Sequence, residues 1–195
     1  DTSGNESGFR LISSTGGQVS PELAQNTTFW VEEPLSPNAV FTRLARPFKG
    51  GVSFGPTLSA SRYTLALPVA SISLAARSAT TLTVAWSTAS GGSAQFVLHK
   101  ASDVSGVPGT FLVITTVTGN TLTYKDTGLN ANTAYWYRVV AYNGDLVAAS
   151  PSSNLQAVTS DEPSIIHTPL TSLSVLGGEV TISATVSGSR AIQSV

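Results

Sequence analysis

From Val69 onward the chain alternates apolar and small polar residues with a period of two, the signature of strands with one buried face. Val69-Ala-Ser-Ile-Ser-Leu-Ala75 begins the pattern, and Thr80-Thr-Leu-Thr-Val-Ala-Trp-Ser87 repeats it with Leu82, Val84 and Trp86 on one face. Ser90-Gly-Gly-Ser93 interrupts, and Ala94 to Lys100 resumes. After a Gly/Pro-bearing break at Ala101 to Gly109, strands are expected at Thr110 to Val117 and Thr121 to Asp126, parted by the turn residues Thr118-Gly-Asn120. Ala134 to Tyr142 and Leu155 to Thr159 complete a set of seven. Seven short strands at this spacing predict a sandwich of two sheets.

The residues inside that pattern carry a family resemblance. Trp86 stands near the end of the second strand and the aromatic Phe96 opens the third. Tyr124-Lys-Asp-Thr-Gly-Leu129 is followed by Asn132-Thr-Ala-Tyr-Trp-Tyr-Arg-Val-Val-Ala-Tyr-Asn143, and Ser150-Pro-Ser-Ser-Asn154 precedes the last strand. In combination these resemble fibronectin type III domains over residues 67–160. Phe96 departs from the Tyr usual there, and the third-to-fourth connection is long. The resemblance implies an all-β, seven-stranded sandwich with additional β segments on both sides. It also implies a structural core of Trp86, Phe96, Leu129, Tyr135 and Tyr137, with the Tyr135 hydroxyl tied to backbone near the preceding corner.

The flanks are sparser. Residues 1–66 hold candidate strands at Phe9 to Ser13, Thr28 to Glu33, Val40 to Arg46 and Tyr63 to Ala66, a β segment or small β-domain. Residues 161–195 open with the linker Asp161-Glu-Pro163. Leu173 to Val186 then reads as two strands about Gly177-Gly178, with a third starting at Ala191. This resembles the opening of an immunoglobulin-like module of bacterial surface proteins. A half sandwich cannot bury its apolar face, so either the chain continues or these strands pair with strands from elsewhere, as in donor-strand assembly. The N-terminal strands of another copy are candidates to complete it.

Composition narrows the chemistry. At 195 residues the chain can build a core, and without cysteine it has neither disulfide nor thiol chemistry. Only 11% of residues are charged, and no apolar run is long enough to cross a membrane as a helix. No Lys/Arg-rich run supplies the footprint of a nucleic-acid binder. Charge is nonetheless segregated: one Arg faces five acids in residues 1–33, six cations and no acid occupy 34–100, and three cations face six acids in 101–195. Low charge and Ser/Thr richness without cysteine resemble secreted surface proteins.

No catalytic constellation assembles. His99 and His167 lie in separate modules, and His99 alternates with core positions, so it should face outward. Glu32-Glu33 would point to opposite faces of a strand and cannot flank one bond. Asn143-Gly-Asp145 sits where some family members carry an integrin-binding tripeptide beginning with Arg; Asn in its place leaves an ordinary tight turn. Asn5-Glu-Ser7 and Asn26-Thr-Thr28 are glycosylation sequons, expected by chance in such a sequence. Catalytic, cofactor and metal sites are expected to be absent.

The strongest candidate surface is one sheet face. If Tyr135, Tyr137 and Val139 point inward, then Trp136, Arg138, Val140 and Tyr142 point outward beside Val97 and His99. An outward Trp flanked by such residues marks a contact face. The expected partners are copies of the chain itself, neighbouring surface proteins or a glycan, with no nucleic acid and no membrane insertion. The function expected is a non-catalytic, secreted structural protein: a surface, adhesive or filament subunit that assembles through strand pairing. The alternative is a spacer or glycan-binding module of a longer secreted polysaccharide-degrading enzyme.

Overall fold

The computed structural model describes residues 6–56, 59–88 and 92–161, and the backbone of 164–166 and 185–187. Fifteen strands and no helix occur among the described residues. In the N-terminal part they are β1 (Gly8–Ser13), β2 (Leu23–Ala24), β3 (Val40–Lys49), β4 (Val52–Ser53) and β5 (Ala60–Tyr63). The central part contributes β6 (Ser71–Arg77), β7 (Thr81–Ser87), β8 (Gln95–Val104), β9 (Val107–Pro108), β10 (Leu112–Thr118), β11 (Thr123–Thr127), β12 (Ala134–Tyr142) and β13 (Leu155–Val158). Beyond it, β14 (Ser164–Ile166) pairs antiparallel with β15 (Thr185–Ser187). Of the strands expected within Leu173 to Val186 and from Ala191, residues 185 and 186 fall in β15 and the rest lie outside the described residues.

The central part is a sandwich of a three-stranded sheet, β11-β7-β6, and a sheet ordered β10-β8-β12-β13 with the short β9 beside β8. Period-two alternation decides which residues meet between them. Leu82, Val84 and Trp86 of β7 face Phe96 and Leu98 of β8 and Tyr137, Val139 and Ala141 of β12, with Leu129 from the loop before β12. Trp86 and Phe96 meet edge to face, ring centres 5.7 Å apart. Tyr135 is half-buried, and its hydroxyl oxygen accepts the Asn130 N–H at 3.1 Å, closing the corner ahead of β12.

A polar cluster penetrates this core. The Tyr137 hydroxyl donates to Asp126 Oδ2 at 2.7 Å, and Lys100 Nζ lies 2.9 Å from the same oxygen while stacking over the Tyr135 ring. Tyr137 is fully buried, and that burial pushes its hydroxyl well above the ordinary tyrosine range. A buried carboxylate is tolerated here because a cation and a hydroxyl both satisfy it.

The N-terminal part is a second antiparallel sheet, ordered β2-β1-β3-β4, with β5 also paired to β3. Three expectations change here. Thr28 to Glu33 is not a strand: this segment runs without ladder pairing, and Glu32 is bound instead to Arg43 of β3 through two side-chain hydrogen bonds of 2.5 and 2.7 Å. The strand expected at Tyr63 to Ala66 lies earlier, at β5, because its partner residues on β3 are Val40 to Arg43. The break at Ala101 to Gly109 is mostly a hairpin, since β8 runs on to Val104 and turns at Ser105-Gly106, both with positive φ.

Candidate functional site

Alternation along β8 and β12 places Gln95, Val97 and His99 opposite Tyr142, Val140 and Arg138 in direct register, on the face turned away from the core. Trp136 continues that face toward β13, opposite Gln156. The six residues of the expected contact face are therefore neighbours. They do not form an open apolar patch, because Val97 and Val140 are buried, at 8% and 6% exposure. The physical reason is their position: they pair with each other across the strands, and the longer Arg138 and Tyr142 flank them on the same face.

At the β13 end of this face the polar groups are committed to one carboxylate. The Trp136 indole N–H donates to Asp103 Oδ1 at 2.7 Å, and Gln156 Nε2 donates to the same oxygen at 3.0 Å. The other oxygen of Asp103 accepts the Gly106 N–H at 3.0 Å. These bonds, the Gly106 amide foremost, hold the Asp103 carboxyl below the usual carboxylate range. Asp103 thereby fastens the β8–β9 hairpin across β12 and β13. The Arg138 guanidinium stacks over Phe111 at 4.3 Å. His99 faces Arg138 and Val113 across its two ladders, and its Nδ1 is buried without a hydrogen-bond partner. Burial first, and the Arg138 charge second, depress its pKa.

Sequence reasoning missed the second surface feature, which lies at the end of the sandwich. The turn after β12, read as an ordinary Asn-Gly turn, is a joint to the N-terminal sheet. Asn143 is buried, and its Nδ2 donates to the carbonyls of Thr64 at 3.1 Å and Tyr63 at 3.4 Å. Its Oδ1 accepts the N–H groups of Val147 at 2.7 Å and Asp145 at 3.1 Å, which shapes the turn. Asp145 Oδ2 accepts the Tyr63 N–H at 2.8 Å, and Asn38 Oδ1 accepts the Gly144 N–H at 3.1 Å. Gly144 permits a close approach: a Cβ there would sit 2.4 Å from the Tyr63 ring, which would have to shift. The Asn-Gly pair after a strand was the available signal. Its partners, some 80 residues upstream, were not legible.

The third feature is a bare edge. Among the described residues strand β10 ends its sheet, pairing with β8 alone and with a register shift between Val113 and Thr115, and its sequence Leu-Val-Ile-Thr-Thr-Val-Thr has no charge, proline or glycine. Leu112 and Val113 are 66% and 60% exposed on it. Elsewhere, Glu33 is exposed and separated in role from the ion-paired Glu32, and Asn26 is exposed; His167 and Asn5 lie outside the described residues. Among the described residues no helix is long and apolar enough to cross a membrane.

Comparison with known proteins bears on the central part. The family model described as fibronectin type III domain matches residues 67–158. A two-domain fibronectin type III segment from chicken tenascin is similar at 19% identity, covering 77% of this chain and 81% of that one, with a TM-score of 0.49. The fibronectin type III domain of human fibronectin type III domain containing protein 3 is similar at 27% identity, over 48% of this chain and 85% of that one, with a TM-score of 0.40. No curated protein matches the chain in sequence.

Proposed function

Residues 67–158 are a fibronectin type III domain, and from that premise we propose that the chain is a non-catalytic extracellular structural subunit that assembles through strand pairing. Domains of this family commonly act as structural or adhesive modules and are typically extracellular. The observation that carries the assembly reading is the edge strand β10. An edge is a row of unpaired backbone N–H and C=O groups, and soluble proteins ordinarily blunt it with charge, proline or a covering element. Here seven residues run without charge or proline, and two large apolar side chains stand exposed upon them, although a register shift between Val113 and Thr115 interrupts the ladder with β8. The occupant is a strand of a second copy of this chain.

The joint supports the same reading. The Asn143 turn couples the N-terminal sheet to the sandwich through hydrogen bonds from both sides. A subunit that bears load through its edges gains from such coupling, because force on one sheet passes to the other. The outer face of β8 and β12, with Trp136 and Arg138 half exposed, flanks the edge and is a secondary contact surface in this reading.

Sedimentation velocity over a wide concentration range tests the proposal. The unmodified chain should form growing species, and the Leu112→Lys/Val113→Lys double variant should remain monomeric with an unchanged thermal transition. A chain that stays monomeric throughout, or a variant that assembles as well as the parent, would refute it.

A further inference from the structure

The N-terminal sheet carries a groove of about 770 Å3 on one face. Its floor follows from strand alternation: Phe9 and Leu11 of β1 stand opposite Pro47 and Ala45 of β3, with Leu23 of β2 beside Phe9. All five lack full cover. Its wall is the segment after β2, which leaves the sheet through a turn closed by Thr27 N–H to Ala24 O at 3.2 Å, with Asn26 at φ 65°. The Glu32–Arg43 ion pair, on the same face of β3 as Ala45 and Pro47, returns that segment to the sheet.

Two properties define what the groove accepts. The residues lining it include no ionisable side chain, so it offers nothing to a charged ligand. The wall also combines two kinds of surface within five residues. Phe29, 80% exposed, and Trp30 present aromatic rings, while Asn26, Thr27 and Thr28 present an amide and two hydroxyls to solvent. Rings beside hydrogen-bonding groups match a sugar, whose ring offers a C–H face for stacking and hydroxyls at its rim. An acyl chain would use the rings and leave the polar groups unpaired.

We propose that this groove binds a neutral oligosaccharide, with Phe29 and Trp30 stacking on sugar rings and Asn26, Thr27 and Thr28 bonding their hydroxyls. The site is separate from β10 and does not depend on assembly. Isothermal titration of the intact chain with neutral hexasaccharides of glucose, xylose, mannose and N-acetylglucosamine tests it, with Trp fluorescence as a second readout. At least one should bind saturably. Phe29→Ala, a change at an exposed position, should raise Kd at least about tenfold. Asn26→Gly, which keeps the left-handed turn, should raise it about three- to tenfold, and Trp136→Ala should leave it unchanged. No saturable binding to any of the four, or binding that survives Phe29→Ala, would overturn the proposal.

Discussion

The side-chain amide of Asn143, in the turn after β12, donates to the backbone carbonyl of Thr64 at 3.1 Å, 79 residues earlier in the chain. One buried side chain thus shapes a turn in the sandwich and ties it to the N-terminal sheet. Substitution by Ala leaves part-buried N–H and C=O groups on both sides without this partner. Asn143→Ala should lower stability by about 2–3 kcal/mol in urea unfolding.

Gly144 supplies a sharper probe of the same joint. Gly144→Val drives a side chain into the Tyr63 ring and should part the two units while leaving the sandwich core intact. Limited proteolysis should then cut between Thr64 and Pro68, where the parent resists, and release a folded sandwich. Unchanged resistance in this variant would mean that the hydrogen bonds do not hold the units together.

Inside the sandwich, the Tyr137–Asp126–Lys100 group makes a directional claim. Tyr137→Phe removes one donor to a carboxylate that keeps its lysine, and should cost about 1.5–3 kcal/mol in denaturant unfolding. Trp86→Ala opens a cavity between the sheets and should cost about 3–5 kcal/mol, enough to threaten folding of a small domain.

His99 gives a pH signature. Its folded pKa lies below the unfolded value of about 6.5, so the unfolded chain binds the proton more readily. The stability tied to neutral His99 is fully present above pH of about 6.5 and is lost as pH falls through the lowered folded value. His99→Gln should flatten the stability profile across that window, measured as urea midpoints at a series of pH values. A profile that keeps its slope in the variant assigns the titration to another group.

The sequence patterns that proved legible are those with strict alternation and a bulky apolar set. Ala134 to Tyr142 was expected as a strand and is β12 to the residue, because inward Tyr137 and Val139 leave a single register. Thr28 to Glu33 misled because its aromatic and β-branched residues favour strands, whereas the Glu32–Arg43 pair sets its actual path. Asp103 was passed over inside an apparent loop. The spacing Asp103 to Gly106 was a readable turn signal, as the 3.0 Å bond between them confirms. Its bonds to Trp136 and Gln156 span 33 and 53 residues, and no local pattern encodes such partners. The same holds for Asn143, whose role depends on strands from another sheet.

The central proposal, assembly through the bare edge of β10, is met most directly by amide hydrogen exchange followed as the protein concentration rises. The β10 amides that point away from β8 should gain protection in step with assembly, while those of β13, at the opposite end of the sheet, stay as they were. Growth of assemblies with β10 exchanging at its dilute rate would contradict the account.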